Sequence, residues 1–128
     1  MILLTHVAGA LFGMLAIIFG AFGAHALKKK FSEEQLKSFE TGVKYQMYHA
    51  ILLIVFGYNL GFNSALDSYI VYCFIIGTLL FSFSIYALCF LSAAGKKLKI
   101  LGPITPLGGL LLVVGWGLLL YSFIQNIV

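Results

Sequence analysis

Positive charge in this chain is confined to two short windows. Lys28, Lys29, Lys30, Lys37 and Lys44 occupy the first, Lys96, Lys97 and Lys99 the second, and there is no arginine. Between them lie about 50 residues whose single charge is Asp67, room for two membrane crossings and a turn. A water-soluble fold does not suit this pattern. Of the residues 62% are hydrophobic and 9% charged, whereas a soluble domain carries about a quarter charged. The 128 residues suffice for one domain, taken here as a single membrane domain over 1–128.

The uncharged runs place spans at about 2–27, 45–62, 69–95 and 105–127. Each is ~27 Å or more at 1.5 Å per residue, near the ~30 Å hydrocarbon core. Backbone polar groups in lipid must be satisfied within the segment, so the runs are expected to be helical. The expected fold is an all-α membrane protein, a four-transmembrane-helix bundle. Ala24-His25-Ala26 mimics a signal-peptidase site, but no lysine precedes the first run and three follow it directly, so it is read as a retained span. All eight lysines fall on the first and third connections, which the positive-inside rule puts in the cytoplasm, with both termini outside.

Both lysine windows adjoin helix starts. Phe31-Ser32-Glu33-Glu34-Gln35-Leu36 offers Ser32 as N-cap, Gln35 as the third residue of a capping box and Phe31 with Leu36 as a staple. Glu33 and Glu34 suit the positive end of the helix dipole, and Leu36, Phe39 and Val43 mark one face. A short amphipathic interfacial helix is therefore expected at about 33–43, running into the second span or bending before it at Thr41-Gly42. In the second window Pro106 disfavours helix at Thr105, and Thr105 is a good N-cap. The fourth helix is expected to begin at Pro106, after an extended stretch over 101–104. Its positive end beside the lysines would suit a phosphate or carboxylate, though helix initiation explains the same residues. Lys28, Lys29, Lys30, Lys96, Lys97 and Lys99 are expected to contact anionic headgroups, each contributing about 1 kcal/mol. No aromatic–basic surface accompanies the charge, so nucleic acid is not an expected partner.

Small residues mark the helix contacts. Gly9, Gly13, Ala16, Gly20, Gly23 and Ala24 share a face of the first helix. The third run carries Thr78, Ser82, Cys89 and Ser92, and the fourth Gly108, Gly109, Gly115 and Gly117 beside Trp116. Such stripes let helix backbones approach where no hydrophobic effect separates helix from lipid. They serve packing within the bundle, association with a second copy or another membrane protein, or both.

Three motifs together resemble one family. Gly20-Ala21-Phe22-Gly23-Ala24-His25 closes the first span, and Thr41-Gly42-Val43-Lys44-Tyr45-Gln46-Met47-Tyr48-His49 opens the second. Thr105-Pro106-Leu107-Gly108-Gly109 with Gly115-Trp116 lies in the fourth. In order and spacing, over essentially the whole chain, they resemble DUF423, also called UPF0382, a group of small bacterial membrane proteins related to the eukaryotic transmembrane protein 256. The resemblance implies a four-span protein of the bacterial inner (plasma) membrane and brings no biochemical activity with it. The chain departs from the pattern at Phe81-Ser82-Phe83-Ser84, where a glycine is expected near Phe83.

The polar residues within the spans are the candidates for a site. His25, Tyr45, Gln46, His49, Ser92 and Thr105 are expected at one cytoplasm-side level, lining a shared recess in which burial would keep the imidazoles neutral. Water, structural hydrogen bonds or a ligand could fill it. A metal site would want a third, carboxylate or thiolate ligand, and only Cys89 is at a possible depth, so neither metal nor other cofactor is expected. Cys73 and Cys89 lie ~24 Å apart along one helix, too far for a disulfide. No nucleophile–base pair, carboxylate pair or phosphate-binding glycine loop occurs, so no catalytic residue is assigned. Three functional classes remain: a non-enzymatic membrane component or lipid- or partner-interacting subunit, an oligomeric transporter or channel, and an enzyme at the cytoplasmic leaflet.

Overall fold

The structure, a computed structural model, describes residues 1–125, and these are helical with short connections. Helix α1 is Ile2–His25, and a 3-10 turn at Leu27–Lys29 leads to α2, Glu33–Asn59. Helix α3, Ala65–Thr78, passes through a π-helical turn at Leu79–Phe83 into α4, Ser84–Ala93, making one rod of 29 residues. Helix α5 is Leu101–Gln125. The end of the fourth span expected at 127 lies outside the described residues. Three rods, Ile2–His25, Ala65–Ala93 and Leu101–Gln125, are long and apolar enough to cross a membrane.

The capping box expected at the start of α2 is present. Gln35 N–H donates to Ser32 Oγ at 3.2 Å and Ser32 N–H to Gln35 Oε1 at 2.9 Å. The short helix expected at 33–43 is not a separate element, because the helix continues through Thr41-Gly42 to Asn59 without a break. Gly42 is buried there, and a methyl on it would lie 2.7 Å from the Tyr86 ring. Tyr86 thus packs straight onto the backbone at the one point where a bend was open.

Helix α5 corrects the expected boundary. It begins at Leu101, so 101–104 is helical and Pro106 lies inside the helix. Pro103 falls in the first turn, where its missing N–H has no intrahelical partner to lose. Pro106 forgoes only the bond to Gly102, a residue with no side chain within 4 Å of its Cβ position. Thr105 does not cap; its hydroxyl lies 2.6 Å from Ser84 Oγ instead. The preceding rod ends where Gly95, at φ +71°, lets Lys96 N–H reach Leu91 O and Gly95 N–H reach Ser92 O. This is a Schellman closure that favours glycine at that position.

Helix α2 runs antiparallel to α1 from Phe39 to Gly57. A Cβ on Gly23 would meet Phe39, on Gly20 Val43, on Gly13 Ala50 and on Gly9 Ala50 and Ile54, while one on Gly57 would collide with His6. Ala16 is buried on the same face, but Ala24 is exposed, beyond the line of contact. Gly115 packs on Cys73 and Phe74, Gly109 on the Phe81 ring, and Gly108 against the backbone of Leu80 and Phe81; Gly117 meets nothing within 4 Å. Close approach at the π turn therefore comes from Gly108 across the interface, rather than from a glycine near Phe83. Two apolar clusters fill the interior. One, around Leu53, Ile70, Val71 and Phe74, spans the middle of the bundle; the other, around Phe31, Phe39 and Tyr86, closes the lysine-bearing end. Exposed Leu3, Ile17, Leu110, Val113 and Leu120 leave the outer surface apolar.

Candidate functional site

Gln46 is fully buried in mid-bundle. Its amide Nε2 donates to Phe12 O at 2.8 Å, and its Oε1 accepts from the Tyr86 hydroxyl at 2.8 Å. One side chain thus ties α1, α2 and α4 together. Four residues earlier on α2, Gly42 O accepts from Ser82 Oγ at 2.8 Å, fastening α2 to the π turn. Ser84 and Thr105 pair across α4 and α5. These groups satisfy one another between helices, as buried polar side chains in an apolar medium must.

His49 lies one turn beyond Tyr45, and its Nδ1 is 2.7 Å from the Tyr45 carbonyl. Its ring sits 5.4 Å from Phe74 and 6.5 Å from Trp116 by centroid, and its Nε2 is buried without a partner. Thr78 Oγ1 is likewise buried and unpartnered. Tyr45 is exposed, at 42%.

The recess expected to join His25 and His49 is absent. The Gly13–Ala50 and Gly20–Val43 contacts set His49 level with Gly13. His25 stands 12 residues further along α1, about 18 Å away, and is exposed. The expectation failed because it took Lys44 as the end of the apolar zone. The helix expected from about 33 in fact runs unbroken through Lys44, which lies some three turns along it. Of the six expected residues, Gln46 and His49 are interior, Tyr45 and His25 face outward, and Ser92 and Thr105 lie elsewhere.

Ser92 and Thr105 line a different space, a partly open cleft at the lysine-bearing end. Ser32, Glu34, Gln35, Ser38 and Thr41 of the α2 start form one side, Ile85, Leu88, Cys89 and Ser92 of α4 the other, and Gly102 with Thr105 the end. Its volume is about 510 Å³, within the usual range for small-ligand sites. Gln35 Nε2 donates to Ser92 Oγ at 3.0 Å across it. Sequence reasoning missed Tyr86 and the Glu34–Ser38–Thr41 wall. Tyr86 lies four residues after Ser82 and three before Cys89, on the stripe already singled out. The wall repeats at i, i+4 and i+7, a helical face of its own. Cys73 and Cys89 are free thiols, and among the described residues no three His, Cys, Asp or Glu side chains gather as a metal set.

The family model described as "Protein of unknown function (DUF423)" matches residues 19–109. A UPF0382 membrane protein of Staphylococcus haemolyticus is 40% identical over 116 residues, 91% of each chain. One of Bacillus subtilis is 35% identical, covering 93% of this chain and 94% of its own length. One of the yeast Schizosaccharomyces pombe is 35% identical, covering 87% and 93%. No solved structure matches.

Proposed function

The chain belongs to the DUF423 family, and on that premise we propose that this membrane protein is a non-catalytic, four-span component that acts by contact with lipids or a membrane partner. The observation that carries the reading is the state of its interior polar groups. Gln46 with Tyr86 and Ser84 with Thr105 are spent on one another between helices, and Ser82 and Gln46 on carbonyls of a neighbouring helix, which favours a structural role for them over service to a substrate.

The fourth crossing is supported by the pairing of α2 with α1. If α1 spans the bilayer, the paired stretch from Phe39 to Gly57 covers the same ~28 Å of depth. Lys44 then lies inside the lysine-bearing boundary, exposed, and its long stem can snorkel to the headgroups. The first turns of α2, with Glu33, Glu34 and Lys37, form the interfacial segment as part of the span's own helix. The lysine-bearing connections lie in the cytoplasm, both termini lie outside, and Lys28–Lys30 and Lys96–Lys99 rest on anionic headgroups. The membrane of this reading is the bacterial plasma membrane, and the exposed apolar faces leave room for a second copy or a partner subunit.

Native mass spectrometry of the protein released from polymer-extracted membrane tests the reading. Intact phospholipid or a stoichiometric protein partner on the folded chain is expected. Turnover of a bound lipid, or substrate-dependent flux across liposomes holding the pure protein, refutes it.

A further inference from the structure

The cleft at the lysine-bearing end has a chemistry that the nearby lysines do not foretell. Of its lining side chains only Glu34 is charged, and none of the eight lysines is among them. Much of its hydrogen-bonding capacity is already used within the protein. Gln35 serves Ser32 and Ser92, the Thr41 hydroxyl donates to Lys37 O, and Thr105 pairs with Ser84. The Glu34 carboxylate and the Ser38 hydroxyl stand one turn apart on the same wall. Opposite them, half-buried Ile85 and Leu88 supply an apolar surface. A carboxylate flanked by hydroxyls, with no cationic side chain lining the space, favours an ammonium, which it can hold by charge-assisted hydrogen bonds. It disfavours a bare anion by the same charge.

We propose that this cleft seats the ammonium-bearing headgroup of an ethanolamine-type phospholipid, with Glu34 taking the ammonium, Ser38 and Thr41 beside it, and the glycerol end against Ile85 and Leu88. The assignment rests on the reading above that this end of the bundle lies at the headgroup level, and it names the lipid recognised there. The lysines outside the cleft and Glu34 within it then sort two lipid classes. Anionic headgroups lie along the connections, and a zwitterionic one enters the recess.

The test reconstitutes the protein in nanodiscs with equal phosphatidylethanolamine and phosphatidylglycerol and reads the lipids retained by native mass spectrometry. Glu34→Gln is compared with Glu33→Gln, which removes the same charge one residue away from a side chain that does not line the cleft. Preferential retention of phosphatidylethanolamine by wild type and Glu33→Gln, with the preference falling about tenfold in Glu34→Gln, is expected. Loss of the preference in both variants alike, or none in wild type, overturns the assignment. Displacement of the lipid by soluble phosphoethanolamine at equal concentration overturns the lipid source, since a free amine is then the ligand. Equal retention of both lipids leaves the non-catalytic reading standing. A chemically altered lipid in the same spectra overturns that reading and this assignment together.

Discussion

Replacing Gly108 by alanine should destabilise the bundle although alanine is the better helix former. A Cβ at Gly108 would lie 2.7 Å from the Leu80 carbonyl carbon and 2.8 Å from Phe81 Cα. Carbon atoms in contact rest about 3.5–4.0 Å apart, so the rods must separate by at least about 0.8 Å. These atoms and the still nearer Phe81 N are all backbone, in the π turn, and no rotamer change relieves them. Overpacking of this kind costs about 1–3 kcal/mol. Gly117→Ala is the matched control, because nothing lies within 4 Å of its Cβ position and it sits in the same helix. Both variants gain the helix propensity of alanine, up to about 1 kcal/mol, so it cancels in the comparison. Gly108→Ala should therefore be less stable than Gly117→Ala by about 1–3 kcal/mol. Unfolding by dodecyl sulfate in mixed micelles, followed by the fluorescence of the single tryptophan, Trp116, measures the difference. Equal midpoints, or Gly108→Ala the more stable, would falsify the claim that helix contact at the π turn depends on that missing methyl.

Tyr86→Phe and Gln46→Leu should each destabilise the protein by about 1–3 kcal/mol, since each leaves a buried partner unpaired. The double variant should lose less than the sum, by about 0.5–2 kcal/mol; strict additivity in the same unfolding assay rules out a working 2.8 Å bond between them. For topology, an introduced cysteine at Asp67 should react with an impermeant maleimide added outside intact cells, and one at Lys97 only after permeabilisation. The reverse pattern ends the orientation assigned from the lysines.

The charge pattern determined the helical class and the rods that carry it, because an apolar medium leaves a backbone few ways to satisfy itself. The capping box at Ser32 and Gln35 was equally legible, being a local bond within one turn. So was the contact face from Gly9 to Gly23, since small residues at helical spacing have one use in lipid. Depth was not legible. Lys44 reads as the end of an apolar run, yet the helix from Glu33 continues through it, and only its pairing with α1 shows that His49 lies about 18 Å from His25. Helix α5 starts at Leu101, against the local preference at Thr105-Pro106, and the Thr105 hydroxyl pairs with Ser84 on another helix instead of capping. The partners of Gln46 lie 34 and 40 residues away, and no local pattern names them. Sequence periodicity states which face of a helix is polar or small. Which polar group meets which, and at what depth, depends on how the rods slide against one another, and that is set by packing across the whole bundle.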